Sequence, residues 1–381
     1  DKYFQGYVRP DGQVGIRNEV WIIPTVGCVN ITANKLAQTA NELYKGKTDG
    51  IFAYTHYMGC SQLGDDHKTT QKLLKGIINN PNAGGVLVLS LGCENNNLND
   101  FIPVLDDYDP NRVKFLVTQE AEDEYERGME LLDELVDYTS RMKREKVSAD
   151  QLVLGFKCGG SDGFSGISAN ALCGRVNDTI LTEVPEMFGA ETLLMERAVN
   201  EEVFSNIVTM INDYKKYFQK YDQTIYENPS PGNKDGGIST LEDKSLGCIQ
   251  KGGNAPVVGV LNYGENVKTK GLNLLTGSGN DQVSCTNLVA SGAHMILFTT
   301  GRGNPFGSPV PTVKISSNTD LFHKKPHWID YNAGWLLDGK SFEDVEEDFF
   351  DYILDVASGK ETNNEKNGYK EISIFRDGVI L

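Results

Sequence analysis

Four cysteines follow apolar runs of the chain, each at the point where the run breaks into glycine and polar residues. They are Cys28 in TVGCVN, Cys60 in HYMGCSQLGDDH, Cys93 in LSLGCENNN and Cys158 in LGFKCGGSDGFSG. If each run is a buried strand of one parallel sheet, the four thiols lie at one sheet edge, where α/β proteins place their ligands. Any one of them is also explained as a small buried hydrophobe in a tight turn. Together they predict a catalytic or metal-binding rim.

Histidine and carboxylate residues stand close to the same turns and extend the candidate site. His56 shares a segment with Cys60, and imidazole and thiolate are good ligands for iron or zinc. Asp65 and His67 follow in the same segment, and Asp162 follows Cys158. The alternative for Asp65 and His67 is that they begin a helix, as its cap and on its exposed first turn.

The segment KCGGSDGFSG also predicts an anion site. Backbone amides of Gly159, Gly160 and Ser161, in a glycine-rich turn before a helix, are suited to hold a carboxylate or phosphate. A purely structural turn is the alternative. The segment has neither the P-loop pattern nor the dinucleotide fingerprint, and the sequence contains no Gly-x-Ser-x-Gly elbow and no His-Glu-x-x-His zinc helix.

Two arginines and one asparagine are further candidates for binding an acid. Arg17 precedes the first strand, and Arg302 stands between two glycines in GRGNPFG. A guanidinium binds a carboxylate bidentately, although solvation at the surface is the default for either residue. Asn280, in GSGNDQ, either touches the substrate or caps the helix that follows.

The alternation of apolar and helical patterns divides the 381 residues into two parts. Residues 1–120 predict a first α/β half, and residues 121–150 predict a long amphipathic helix that bridges two halves. Residues 151–381 predict a second α/β half, interrupted by a long surface loop over 226–256. The predicted fold class is therefore α/β, with two Rossmann-like parallel-sheet halves facing one another.

The composition excludes several classes of partner. A net charge of −17 makes nucleic acid and anionic membrane surfaces unsuitable, because either requires a basic face. The sequence has no run of about eighteen apolar residues and no basic-then-apolar leader. Seven cysteines without a compact framework fit a reducing compartment, so a cytoplasmic location is expected.

Taken in order, the segments GYVRPDGQVGIRN, GCSQLGDDH, GCENNN, KCGGSDGFSGISAN, TEVPEMFGAE, STLEDKSLGCIQKGG and GLNLLTGSGNDQVSCTNLVASGAHMILFTTGRGNPFG resemble the large catalytic portion of the altronate and galactarate dehydratase family. The resemblance runs from about residue 4 to about residue 335. It implies a lyase that removes water from a sugar acid to give a 2-keto-3-deoxy acid. It also implies a divalent metal, Fe²⁺ in particular with Mn²⁺ as the other possibility. A sister branch with the same architecture cleaves sulfite from sulfolactate.

The implied reaction removes the proton α to a carboxylate and then eliminates the β substituent. From the residue types themselves, and not from the resemblance, the metal is expected among His56 and the four cysteines, and the carboxylate is expected at the two arginines and the glycine-rich turn. Asp65, His67 or Asp162 is the expected base or acid. An iron–sulfur cluster on three of the cysteines is the alternative to a single metal ion.

The family also implies a small β-rich unit, of the kind called SAF-like, as a preceding domain or as a separate subunit. The third hypothesis is therefore that the chain is inactive without that partner. A homo-oligomer is expected, and the stereochemistry of the sugar acid stays open.

Overall fold

The computed structural model describes residues 2–176, 179–226 and 228–381 and contains two units built on parallel sheets. The predicted α/β fold class is confirmed. The strands, in chain order, are β1 Tyr3–Val8, β2 Val14–Gly15, β3 Glu19–Pro24, β4 Ile51–Ala53, β5 Ala83–Ser90, β6 Val113–Val117, β7 Glu145–Ser148, β8 Leu154–Cys158, β9 Thr179–Leu181, β10 Val257–Leu261, β11 Leu272–Leu275, β12 Met295–Thr300, β13 Thr312–Ser316 and β14 Tyr331–Asn332.

The helices cover both faces of these sheets. They are α1 Asn30–Leu43, α2 Gly64–Ile78, α3 Leu98–Phe101, α4 Glu124–Ser140, α5 Ala169–Cys173, α6 Glu191–Met195, α7 Glu201–Lys220, α8 Pro231–Asp235, α9 Leu241–Ile249, α10 Asp281–Ala290, α11 Thr319–Lys324, α12 Phe342–Ala357 and α13 Asn363–Lys366. No helix in the described part of the chain has both the length and the apolar character needed to cross a membrane.

The first unit is a four-stranded parallel sheet with the strand order β4-β3-β5-β6. The strands β3 and β5 are buried throughout, which explains the apolar runs VWIIP and AGGVLVL within them. The apolar side of α4, with Leu132, Leu135 and Val136, packs with α1 on one face of this sheet. This helix therefore belongs to the core of the first unit and does not bridge the two halves.

The second unit is a seven-stranded parallel sheet with the order β10-β11-β9-β8-β12-β13-β14. The segment predicted as a long surface loop over 226–256 contains α8 and α9, and Lys251 within it is fully buried. That prediction was wrong because the lysine has buried carboxylate partners from a distant segment. A small antiparallel sheet, β2-β1-β7, was not predicted; it pairs the start of the chain with the segment that precedes β8.

The two units share a continuous apolar core between α2 and α10. Gly76 allows the close approach of these helices, since a Cβ there would lie 2.3 Å from the carbonyl oxygen of Ala290. The Asn80 amide donates to the carbonyls of Val289 and Ala293 at 3.1 and 3.0 Å. The relative position of the two sheet edges is thus set by buried packing and hydrogen bonds.

Candidate functional site

Both sheets reverse their strand order at a point where ligands bind in open α/β sheets. In the first unit the reversal lies between β3 and β5, and in the second between β8 and β12. Cys28 and Cys93 follow β3 and β5, Cys60 follows the neighbouring strand β4, and Cys158 ends β8. The four thiols therefore lie at strand ends of two sheets, three on the first and one on the second.

Cys28, Cys60 and Cys93 are all exposed, and we call them the thiol rim. Beneath them, the loops that carry them are joined to one another by buried hydrogen bonds. The Glu94 carboxylate accepts from the Thr25 hydroxyl at 2.6 Å and from the Gly92 amide at 2.6 Å. The amide of Asn96 donates to the carbonyl oxygen of Gly59 at 2.9 Å. The rim is thus carried on a fixed base.

His56 lies under this rim and is not available as a metal ligand. Its Nε2 lies 2.7 Å from the carbonyl oxygen of Pro24, and its Nδ1 accepts from the Met58 amide at 3.1 Å. Burial lowers the pKa of His56 to about 4, so the ring is neutral near pH 7. The metal-ligand prediction for His56 was wrong, because the local backbone uses both ring nitrogens.

Cys158 belongs to a different, buried group of side chains at the edge of the second sheet. Its Sγ lies 3.0 Å from Glu186 Oε2 and 3.9 Å from Cys248 Sγ. Two lysines, 157 and 251, bind the Glu183 carboxylate, the second at 2.7 Å, and Lys244 binds Glu186 at 2.9 Å. We call these seven residues the buried ionic cluster: Lys157, Cys158, Glu183, Glu186, Lys244, Cys248 and Lys251.

The charges of this cluster balance without any added ion. Burial alone would lower the pKa of Lys157 and Lys251, but neighbouring acidic groups outweigh it and raise both well above the usual value. Burial would raise the pKa of Glu186, but Lys244 and the other two lysines lower it to about 2. With Asp281, which pairs with Lys157 at 3.0 Å, three ammonium groups face three carboxylates.

The donor atoms Cys158, Glu183, Glu186 and Cys248 lie within 4.8 Å of one another, as a metal site requires. They nevertheless do not fit a divalent ion. Both carboxylates already hold ammonium groups, and the hydrogen bond to Cys158 and burial raise the pKa of the Cys248 thiol well above its usual value. A dication would add two uncompensated charges unless both thiols lost their protons.

Glu183, at the centre of the cluster, has a left-handed backbone with φ +73°. A non-glycine residue rarely adopts this conformation, which costs on the order of 1–3 kcal/mol. Strain of this kind is concentrated at functional sites, where the surrounding contacts hold it. Here it directs the carboxylate toward both lysines.

The glycine-rich turn after β8 uses most of its polar groups internally. The amides of Gly159 and Gly163 donate to Thr299 and Gly236, and Gly160 accepts from the amides of Gly301 and Arg302. The Gly159 amide, which was predicted to bind an anion, is therefore not free to do so. The glycine instead leaves space for the Asp281 carboxylate, because a Cβ at this position would lie 2.7 Å from it.

Two other residues of this turn also hold the protein's own chain. The carbonyl of Ser161, a buried residue, accepts from the Asn233 amide at 3.0 Å. Asp162 accepts four hydrogen bonds, from the Ser165 and Ser317 hydroxyls, the Phe164 amide and the Asn318 side chain. These occupy its oxygens, so the geometry contradicts its prediction as a base and makes it the anchor of the turn.

Four of the remaining predicted site residues are Arg17, Arg302, Asp65 and His67, and they lie in three separate places. All five N–H groups of Arg17 donate within the protein, to Glu365 and to three carbonyls, so it cannot clamp a substrate. Arg302 donates to the carbonyl oxygen of Gly232, with 47% of its side chain exposed. Asp65 is exposed and His67 half-buried on the first turn of α2. Both residues therefore lie in the first turn of the helix, as the helical alternative expected for His67, but Asp65 is not the cap, because the N-cap residue is Leu63.

Asn280 and Asp281 begin α10, and both lie at the mouth of the cluster. Asn280 caps the helix by accepting from the Val283 amide at 3.1 Å, which is the alternative foreseen for it. Asp281 has 29% of its side chain exposed, whereas Lys157 and Glu183 are fully buried. The second Asp281 oxygen accepts from the Asn304 amide at 2.7 Å. Asp281 is thus an accessible carboxylate in contact with the cluster.

Two cavities are lined by residues of the cluster or by residues next to them in the chain. The first, which we call the inter-unit cleft, measures about 620 Å³ and is lined by Tyr57 and Met58 from the first unit and by Pro185, Gly279 and Asn280 from the second. The second, which we call the polar cavity, measures about 490 Å³ and is lined by the Ser161–Gly166 turn, Lys244 and Cys248. Only the first of these two is lined by both units, and it adjoins the loop of Cys60.

A cleft lined by both parallel-sheet units, with lining residues close in the chain to Cys60 on one side and to Glu186 and Asp281 on the other, defines an α/β protein with an enzyme-like site. The chain belongs to the D-galactarate/altronate dehydratase family. The part described as "D-galactarate/Altronate dehydratase, C-terminal" matches residues 149–380, and the part described as "D-galactarate dehydratase/Altronate hydrolase, second domain" matches residues 6–140.

Individual relatives differ in identity and in how much of them the chain covers. The chain is 54% identical to altronate dehydratase of Bacillus subtilis (strain 168), over all of this chain and 79% of the relative. It is 33% identical to galactarate dehydratase (L-threo-forming) of Escherichia coli (strain K12), over 99% of this chain and 77% of the relative. It is 28% identical to (2R)-sulfolactate sulfo-lyase subunit beta of Chromohalobacter salexigens, over 98% of this chain and 97% of the relative.

The sequence reasoning missed most of the ionic cluster. Glu183, Glu186, Lys244, Cys248 and Lys251 stand in TEVPEMFGAE and STLEDKSLGCIQKGG, two segments that carry the family resemblance. One signal could have identified them. These charged side chains stand within segments that carry the family resemblance, whereas solvated charges are typical of the polar face of a helix. The pairing of Glu183 with Lys251, 68 residues further along the chain, is a tertiary contact that no local pattern encodes.

Proposed function

We propose that this chain dehydrates a sugar acid of the altronate type to a 2-keto-3-deoxy acid in the inter-unit cleft. The observation that carries the proposal is the position of Asp281, an accessible carboxylate that is bound to a charge-balanced lysine cluster and follows Asn280, a lining residue of this cleft. The higher identity to an altronate dehydratase than to a galactarate dehydratase favours a monocarboxylic sugar acid.

The reaction requires removal of the proton α to a carboxylate, and the enediolate that forms must be neutralised. In the proposed mechanism Asp281 takes this proton, and its own negative charge disappears as that of the substrate grows. Lys157, 3.0 Å from Asp281, then loses one of its two anionic partners, keeps Glu183, and compensates the enediolate. The total charge of the site stays constant, which avoids the cost of an unbalanced buried ion.

The hydroxyl group β to the carboxylate leaves as water with the proton that Asp281 took, which restores the Asp281 carboxylate, so the products are the enol of the keto acid and one water molecule. The iron that the family resemblance implies would assist this departure as a Lewis acid. The ionic cluster does not fit an ion, and manganese prefers oxygen ligands to thiolates, so we propose iron at the thiol rim.

The partner predicted from the sequence stays a proposal. The chain covers 79% of the altronate dehydratase of B. subtilis but 97% of the sulfo-lyase protein, whose name calls it a subunit. These shares are consistent with a further unit, which we propose to be the β-rich partner. If the partner covers the inter-unit cleft, it would exclude water from the enediolate.

A substrate panel tests the proposed activity. Anaerobically prepared chain with ferrous iron is expected to release keto acid from altronate, with slower release from galactarate and no sulfite from sulfolactate. Keto acid and sulfite are measured in the same samples. Release of sulfite without keto acid would replace dehydration by sulfo-lyase activity. Full dehydration by the chain alone would reject dependence on a β-rich partner.

A further inference from the structure

The ionic cluster explains proton removal, but it leaves open what the thiol rim binds. Cys28 and Cys93 flank the point where the strand order of the first sheet reverses, and Cys60 follows the strand beside them. Ligands of open α/β sheets bind at such points. All three thiols are exposed, whereas Cys158, Cys173, Cys248 and Cys285 are buried.

The backbone around Cys60 is held in a conformation that presents its thiol. Gly59 has φ +99°, and a Cβ there would lie 2.0 Å from the carbonyl oxygen of Thr25. Ser61, on the other side, has φ +56°, and its amide donates to Asn95 Oδ1 at 2.7 Å. Gly59 adopts its positive φ without strain, whereas the left-handed backbone of Ser61 is strained and persists where surrounding contacts fix a functional group.

An amide donor already points at one sulfur of the rim. The side-chain amide of Gln119, which follows β6, donates to Cys93 Sγ at 3.3 Å. Donors of this kind stabilise a thiolate and tune the sulfur ligands of iron–sulfur clusters.

The spacing of the thiols argues against one ion held by all three. Sulfur ligands lie about 2.3 Å from a single zinc-like ion, so the sulfurs around one ion lie within about 4.6 Å of each other. In the described part of the chain, the three rim sulfurs do not form a set whose members all lie within 4.8 Å. A cluster has several irons, and each thiolate binds a different one, so the sulfurs stand further apart.

We propose that Cys28, Cys60 and Cys93 bind a cubane [4Fe–4S] cluster as thiolates, each releasing its proton, with one iron left without a protein ligand. Such an iron supplies Lewis acidity for a departing hydroxyl group. Tyr57 and Met58, in the loop of Cys60, line the inter-unit cleft. The use of the cluster in dehydration rests on the proposed function, but its binding by the rim does not.

Chemical analysis of iron and acid-labile sulfide tests this proposal on the chain, purified anaerobically and reconstituted with equal amounts of ferrous and ferric iron and with sulfide. We expect about four irons and four sulfides per chain, with an electron paramagnetic resonance signal after reduction. Cys60→Ser and Cys93→Ser are expected to hold less than about a quarter of that iron and sulfide. Cys173→Ala, which removes a buried thiol outside the rim, is the matched control and is expected to retain the full content.

Iron without sulfide would overturn the cluster, and so would wild-type chain that binds neither after reconstitution. Full cluster content in Cys60→Ser and Cys93→Ser would overturn the assignment to the rim. Keto acid release is measured on the same samples. Dehydration by chain that contains no sulfide would reject the cluster and leave the proposed function standing. Chain that holds the cluster but does not dehydrate altronate would reject the proposed function and leave the cluster standing.

Discussion

Replacing Asp281 with asparagine is expected to lower kcat for altronate dehydration by about 10²- to 10⁴-fold, the range that loss of a general base produces. Asparagine keeps the size of the side chain and the contact with Asn304, but it cannot take the α proton. KM is expected to stay within a few-fold, because the substrate does not depend on this carboxylate for binding. Steady-state kinetics on the anaerobically prepared variant measures both constants.

Exchange of the substrate's α hydrogen with deuterated solvent provides the second readout for Asp281→Asn. Wild-type chain is expected to catalyse this exchange, and the variant is not. Gln282→Ala is the matched control, because Gln282 is the next residue of α10, is exposed, and donates only to Glu371 at 3.1 Å among the described contacts. A variant that keeps more than about a tenth of the wild-type kcat would remove Asp281 from the proposed role.

Glu183→Gln is expected to lower the free energy of unfolding by about 3–5 kcal/mol, the usual cost of removing one partner from a buried ion pair. The Glu183 carboxylate holds both Lys157 and Lys251, and all three side chains are fully buried. The amide retains the shape but not the charge, so an uncompensated ammonium group remains in the interior. Urea denaturation followed by circular dichroism measures the loss.

A double variant separates charge imbalance from a local packing defect. Glu183→Gln with Lys251→Met removes one charge of each sign and is expected to recover at least half of the lost stability. The control is Glu191→Gln, which breaks the more exposed pair with Lys215 at 2.6 Å and is expected to cost about 1 kcal/mol or less. Equal instability of the single and double variants would contradict the charge argument.

The thiol rim could be predicted from sequence because topology places the carboxyl ends of parallel strands at one edge. Each Gly-Cys turn after an apolar run therefore has a defined position, and Cys28, Cys60 and Cys93 occupy neighbouring strand ends as expected. Cys158 has the same local pattern but belongs to the other sheet. Local sequence does not tell which sheet a strand joins, and this is why one rim of four thiols was predicted.

Other parts of the site depend on contacts that local patterns do not encode. Arg17 is bound by Glu365, 348 residues away in the sequence, and an isolated arginine in a loop gives no sign of that. Both ring nitrogens of His56 are hydrogen-bonded to the nearby backbone, although its sequence context is also typical of a metal ligand. The segment around Lys251 has the composition of a surface loop, but Lys251 is fully buried.

The central claim is that a sugar acid is dehydrated in the inter-unit cleft, and filling each cavity in turn tests it most directly. Ser278 lines this cleft, and Ile167, 64% exposed, lines the polar cavity instead. The measurement is kcat/KM for keto acid release from altronate by Ser278→Trp and Ile167→Trp beside wild-type chain. We predict a loss of at least about 100-fold for Ser278→Trp, equivalent to about 2.7 kcal/mol, and wild-type values for Ile167→Trp. A folded Ser278→Trp variant with wild-type activity, or the reverse order of the two variants, would contradict the account.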